Sequence, residues 1–248
     1  MKGQTVTHRC FGKGTITAVD NGVMTVRFSG EEKRFVYPDA LMDYLSLADK
    51  TKQKQVEARL AAEEEKKARE RAAAERQRQR EYKIENFKVN SVSQAAFDVT
   101  HDPQALTNWR VGTGTYISGL SKGKPRIPKR LMPNSACLLT LRPEGKPEAQ
   151  RAIVGAFMVE RDFFGDECKN GVVVAHPEHR LALNAGECLP FWRFFGDKSR
   201  VSWGNTEFKY FSNASMQAIL AELCSLCTGE NRKKAEDFFL YFKKLNNG

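Results

Sequence analysis

The chain has 248 residues, 41% hydrophobic and 28% charged, with 40 Lys and Arg against 30 Asp and Glu for a formal charge of +10. That length supports two modest cores, and the composition excludes a disordered chain. No apolar run reaches bilayer length and Met1-Lys-Gly-Gln-Thr-Val6 lacks a signal-peptide core, so the expectation is a cytoplasmic protein without membrane contact.

The first element is a small set of strands. Val6 to Phe11 leads into Gly12-Lys-Gly14, then the alternating run Thr15-Ile-Thr-Ala-Val19, the Asp20-Asn-Gly22 turn and Val23-Met-Thr-Val-Arg-Phe28, which has the local chemistry of a hairpin. A third strand, Lys33-Arg-Phe-Val-Tyr37, comes after the Ser29-Gly30 turn. The residues His8, Phe11, Gly12, Gly14, Val26 and Phe28 resemble the SH3-like or Tudor-like barrel at the C-terminus of superfamily 1 DNA-repair helicases, in which His-x-x-Phe-Gly-x-Gly opens the barrel. The resemblance implies attachment rather than catalysis, with residues 1–47 docking a protein such as RNA polymerase, or a duplex.

Residues 48–86 contain no Gly, Pro or Cys and are dominated by Ala, Glu, Lys, Arg and Gln, all strong helix formers. One long charged helix of about 50 Å is expected, a linker able to hold the first barrel away from the C-terminal domain. Beyond alanine its aliphatic residues are only Val56, Leu60 and Ile84, so no a/d heptad seam of a coiled coil is sustained. Self-association through Ala-rich packing stays open, as does the oligomeric state. Glu63 with Lys67 and Glu65 with Arg69 stand in the favourable i,i+4 order. The cluster Arg69, Arg71, Arg76, Arg78 and Arg80 reads as a solvated face or a phosphate track.

From residue 87 on, apolar runs and aromatics require a second core. Ser135–Arg142 and Ala152–Val159 are near-continuous apolar strands joined through Pro143-Glu-Gly-Lys-Pro147, with Gly171–Ala175 a third strand and Arg180–Leu183 a fourth. Met216, Ile219, Leu220, Leu223 and Cys227 share one helical face, with Gly229 at the position of a C-terminal cap. A second helix carries Ala235, Phe238, Phe239, Phe242 and Leu245 and ends in Lys243-Lys244.

Over residues 109–211 this pattern resembles PUA-like domains of the ASCH and EVE type. More closely, Asn134-Ser-Ala-Cys-Leu-Leu-Thr140, Phe157-Met-Val159 and Phe191-Trp192 resemble an uncharacterised bacterial family that joins the helicase-type barrel to such a domain. Members of that family carry a Cys-rich zinc-ribbon-like insert, whereas this chain has no cysteine between Asn86 and Trp109. PUA-like domains seat a base in an aromatic slot beside a basic rim. The resemblance therefore implies an RNA or DNA partner, with Trp109, Tyr116, Trp192 and Trp203 as stacking surfaces and Lys122, Lys124, Arg126, Lys129 and Arg130 as phosphate contacts. Trp109, beside Arg110 and ahead of Gly112-Thr-Gly114, is the foremost single candidate; core or rim packing is the competing account of each Trp.

The charge distribution favours a phosphate-bearing partner: six basic residues against five acidic in 1–47, twelve against nine in 48–86, and the remaining +6 C-terminal. Signals of chemistry are weaker. Cys168, His176, His179 and Cys188 have zinc-ligand character but not the spacing of a known knuckle. Asp162, Asp166 and Glu167 lack the lysine of a nuclease motif, while Asp98, His101 and Asp102 have no assignable nucleophile. The Cys224-x-x-Cys227 pair lies on an apolar helix side, and all six cysteines read as reduced thiols. No nucleotide-binding fingerprint or other cofactor motif is present.

The sequence thus describes a multi-domain α+β chain: an SH3-like β-barrel over 1–47, a helical linker over 48–86, and a PUA-like β-barrel with C-terminal helices over 87–248. The function expected is non-catalytic nucleic-acid binding. A protein-interaction adaptor is the alternative and a nuclease the outsider.

Overall fold

The structure is a computed structural model and describes residues 1–195 and 201–246. It is a mixed α+β fold with two β-sheets, and its contacts divide the chain into two units, the first ending at Gln79 and the second beginning at Arg80.

In the first unit, β1 (Thr5–His8), β2 (Gly12–Asp20), β3 (Val23–Phe28), β4 (Glu31–Val36) and, after the short helix α1 (Ala40–Asp43), β5 (Leu45–Leu47) form a curled antiparallel sheet in the order β4-β3-β2-β1-β5. The β2–β3 hairpin closes through Asn21 and Gly22, both left-handed at φ 51° and 75°, as the Asp-Asn-Gly signal requires. Alternation turns Val6, Ile16, Met24, Val26 and Phe28 inward, where Leu41, Leu45 and Leu47 cover them. His8 explains the spacing that opens the sheet: its Nδ1 accepts the backbone N–H groups of Cys10 and Phe11 at 3.0 and 3.3 Å, fixing the β1–β2 turn.

Helix α2 runs unbroken from Lys50 to Glu85 and buries none of its residues fully. Asp49 caps its start, accepting from the N–H groups of Thr51 and Lys52, and Gln53 ties the first turn to β5 by accepting from Leu47 N and to α1 by donating to Leu41 O, each at 3.1 Å. The Glu65–Arg69 pair forms at 2.6 Å.

In the second unit, β6 (Gln94–Asp98), the short α3 (Ala105–Asn108), β7 (Arg110–Gly112), β8 (Ala136–Leu141), β9 (Ala152–Val159), β10 (Val172–Ala182), β11 (Leu189–Pro190) and β12 (Phe208–Phe211) precede helices α4 (Asn213–Leu226) and α5 (Gly229–Asn246). The sheet order is β12-β6-β8-β9-β10-β7 with β11 on β9; β6 and β8 are parallel and the other pairs antiparallel. Both faces are covered, one by α4 and α5 through Leu220, Leu223, Phe238 and Phe242, the other around Phe97, Cys137, Leu139 and Phe157. Burial on both sides is why β8 and β9 read as continuous apolar runs.

Two expectations are corrected. The third and fourth strands are a single β10, whose pairing with β9 shifts register between Ala175 and Arg180, so the turn-like Pro177-Glu-His179 is a bulge inside one strand. Gly229 does not end α4, which stops at Cys227 in an extended conformation; it opens α5 with φ 55°.

Candidate functional site

The C-terminal end of β6 faces the segment entering β12, and two adjoining clefts open there that share Asp98, His101, Trp203, Gly204 and Asn205. The larger has a volume of about 510 Å³, within the usual range of ligand sites, and adds Thr206 and Glu207 to its wall. Register positions it: Phe97 pairs with Phe208 across β6–β12, and Asp98 N donates to Glu207 O at 2.8 Å.

Beneath the clefts lies a buried ion network. Arg151, 2% exposed, places Nη1 and Nη2 each 2.9 Å from the Asp98 carboxylate and Nε 2.5 Å from Glu148 Oε1, and donates to Thr140 Oγ1 at 3.1 Å. Its guanidinium carbon lies 4.2 Å from the centroid of the Trp203 ring. Burial pushes the Asp98 carboxyl up, but hydrogen bonds from Arg151 and Thr100 outweigh it and hold the group below the usual carboxylate value.

The cleft wall is rich in acceptors. Among the described residues the side chains of His101, Asp102 and Asn205 make no hydrogen bond, and Glu207 forms one ion pair, with Arg126 Nε at 3.9 Å. Thr206 Oγ1 is buried with no hydrogen-bond partner among the described residues. Gly114 makes room for Glu207: it is left-handed at φ 69°, and a Cβ there would overlap the Glu207 carboxyl group.

The expected aromatic residues are dispersed around this site. Trp203 lines both clefts but is only 5% exposed, with Nε1 donating to Thr206 O at 2.5 Å and one face under Arg151, so it is a wall and not an open platform. Trp192 is half-buried and donates to Glu148 O at 2.8 Å; Lys209 lies over both indoles, 5.9 Å from Trp192 and 5.4 Å from Trp203. Trp109 ends α3 in the left-handed conformation, beneath Arg180 at 5.2 Å, and lines neither cleft. Tyr116 is exposed on the loop 115–125, where it exchanges backbone hydrogen bonds with Gly123 and Lys124. A single slot built from all four rings is therefore not the arrangement found.

The basic loop is exposed at Lys122, Lys124, Lys129 and Arg130. Arg126 connects it to the cleft, donating to Thr115 O at 2.9 Å and Asn205 O at 3.4 Å. Arg130 lies over Tyr210 at 5.3 Å.

The remaining candidates have other duties. Asp162 and Glu167 pair with Arg80 at 3.0 and 3.3 Å, and Lys83 pairs with Glu167 while resting 3.9 Å over Phe164. Among the described residues no three His, Cys, Asp or Glu side chains converge as a metal site. His179 stacks on Tyr241 of α5 at 3.8 Å and the His176 ring lies tilted to it at 5.5 Å, while Cys168 and Cys188 reach carbonyl oxygens of Val172 and Asn184. Among the described residues no helix is long and apolar enough to cross a membrane.

The first unit offers a second surface. Buried His8 is ringed by Phe11, Phe28, Phe35 and Tyr44 at 4.5 to 6.4 Å, and Phe11 and Tyr44 remain 42% and 57% exposed. Lys33 sits 4.4 Å over Phe11.

Sequence reasoning did not find Arg151, Glu148, Asn205 or Glu207. Arg151 gives no local signal, because a charged residue at a loop end is ordinarily solvated; its burial is set by the facing Asp98 and Thr140. Compared with protein-family models, with curated proteins and with solved structures, the chain has no match.

Proposed function

We propose that the chain is a non-catalytic nucleic-acid-associated binding protein, whose PUA-like second unit seats a base or strand end in the cleft beside Trp203 and whose SH3-like first unit docks a protein or a duplex. The observation that carries this reading is the link through Arg126 between an exposed cationic loop and an acceptor-lined cleft. Phosphates favour the loop, where they gain Coulomb attraction and release counterions; a base, uncharged and carrying N–H donors on its edge, favours the cleft.

Anisotropy with labelled single- and double-stranded DNA and RNA oligomers tests it. Affinity falls as salt rises, and replacing Lys122, Lys124, Lys129 and Arg130 by Ala flattens the slope; absence of binding to every oligomer at low salt rejects the reading. A protein-interaction adaptor is the second reading, favoured by the exposed Phe11 and Tyr44. Under it, binding to a protein partner survives the loop substitutions and is lost on Phe11→Ala with Tyr44→Ala.

A further inference from the structure

We infer that the cleft reads guanine, with the Glu207 carboxylate accepting the two adjacent N–H donors of a guanine Watson–Crick edge. This rests on the nucleic-acid reading above and names the base that it leaves open.

The argument is one of donors and acceptors. Glu207 lines the cleft with a side chain about half exposed, has no hydrogen-bond partner for its carboxylate among the described residues, and has Arg126 Nε no nearer than 3.9 Å. Its backbone is held by Asp98 N, and the missing side chain of Gly114 leaves space for its carboxyl group. The neighbouring Asp98 carboxylate is occupied by Arg151 and Thr100; of the two cleft carboxylates without a hydrogen bond among the described residues, Asp102 and Glu207, it is Glu207 that packs into the space left by Gly114.

A carboxylate offers two parallel acceptors and no donor. Guanine alone among the common bases presents two adjacent donors, N1–H and the N2 amino group, on its Watson–Crick edge. Cytosine and adenine each place a ring-nitrogen acceptor beside their amino group, and uracil and thymine flank one N–H with two carbonyls, so each would set an acceptor against the carboxylate. Such a mismatch leaves a polar group unpaired at the contact. The negative wall also keeps the phosphate outside, toward Arg126 and the cationic loop. The target is therefore a guanine exposed in a single strand or extruded from a duplex, not a paired one.

The full chain is titrated with eight-nucleotide oligouridylates, and with oligothymidylates, that carry G, A, C or U/T at one central position. The G oligomer binds between about five- and a hundredfold more tightly than the other three. Glu207→Gln, whose amide presents one donor and one acceptor, removes most of that preference and leaves the salt dependence unchanged. Equal affinity for all four centres, or a guanine preference that persists in Glu207→Gln, overturns the inference while the nucleic-acid reading stands. Failure of every oligomer to bind at low salt overturns both.

Discussion

Arg151 and Trp203 are stacked within the second unit, the guanidinium carbon 4.2 Å from the indole centroid, with 2% and 5% of the two residues exposed. The arrangement gives the cleft a rigid floor, since Arg151 is fixed by Asp98 and Glu148 and Trp203 by Thr206. Arg151→Ala leaves two carboxylates short of their partner and removes a face of the indole. Because Asp98 and Glu148 keep some solvent contact, a loss near the lower end for a broken buried pair, about 3 kcal/mol, is expected. All three tryptophans belong to the second unit, so their fluorescence during urea unfolding of the full chain reports the shift. Arg151→Lys, which keeps the charge but not the fork, shows a smaller one.

Glu187 makes the stability of the second unit sensitive to acid. Its carboxylate accepts from Asn231 Nδ2 at 2.6 Å, Thr228 N at 2.9 Å, Thr228 Oγ1 at 3.2 Å and Asn184 N at 3.1 Å, joining the loop before β11 to the start of α5. The hydrogen bond from Asn231, then those from the backbone of Thr228 and Asn184, hold its pKa down at about 2, against an ordinary 4.5. A depressed carboxyl pKa means that the unfolded chain takes up the proton first. The stabilisation is therefore full above pH 4.5 and drains away as the pH falls toward 2. Glu187→Gln loses it at every pH, so its melting temperature lies below the parent's at pH 7 and converges on it in acid.

How far this was legible in the sequence depended on whether the signal was local. Asp20-Asn-Gly22 specifies its turn, the Ala/Glu/Lys/Arg run specifies α2, and the spacing of Met216, Ile219, Leu220 and Leu223 specifies the buried side of α4; each needs only neighbours along the chain. Strand β6, Gln-Ala-Ala-Phe-Asp, is short and alanine-rich, and it becomes a strand because distant segments pair with it, Ala95 with Cys137 of β8 and Phe97 with Phe208 of β12. The cleft inherits that dependence. Trp203 could be noticed by composition, but Arg151 beneath it and Glu207 beside it are brought together by sheet register, which no local pattern encodes.

His176 and His179 make a second pH-dependent contact. His176 Nδ1 accepts from the N–H groups of Glu178 and His179 at 3.2 and 3.3 Å, shaping the bulge in β10, and the His179 ring stacks on Tyr241 at 3.8 Å with an interplanar angle of 18°. Burial pushes both imidazoles below their ordinary 6.5, against the upward pull of Glu178 on both, of Glu160 on His176 and of Asp237 on His179. Protonation then favours the unfolded chain, so this contribution is present above pH 6.5 and is lost as the pH falls through the depressed values. His179→Phe keeps the stack on Tyr241 without the charge, and its melting temperature falls less than the parent's between pH 7.5 and 5.

The two glycines of Phe11-Gly-Lys-Gly14 are required for different reasons, and their substitutions separate the first unit from the second. A Cβ on Gly14 would lie 2.7 Å from the Phe28 ring and 2.8 Å from Val26 Cγ1, both buried under β5, so the core must open: Gly14→Ala is expected to cost about 1–3 kcal/mol. At Gly12 a Cβ meets nothing within 4 Å, but φ is +70°, and Gly12→Ala incurs only the left-handed penalty of about 1 kcal/mol. Because no tryptophan lies in the first unit, both variants shift the far-ultraviolet circular dichroism transition and leave the tryptophan fluorescence transition in place. A fluorescence shift in Gly14→Ala as large as the dichroism shift would mean that the two units unfold as one.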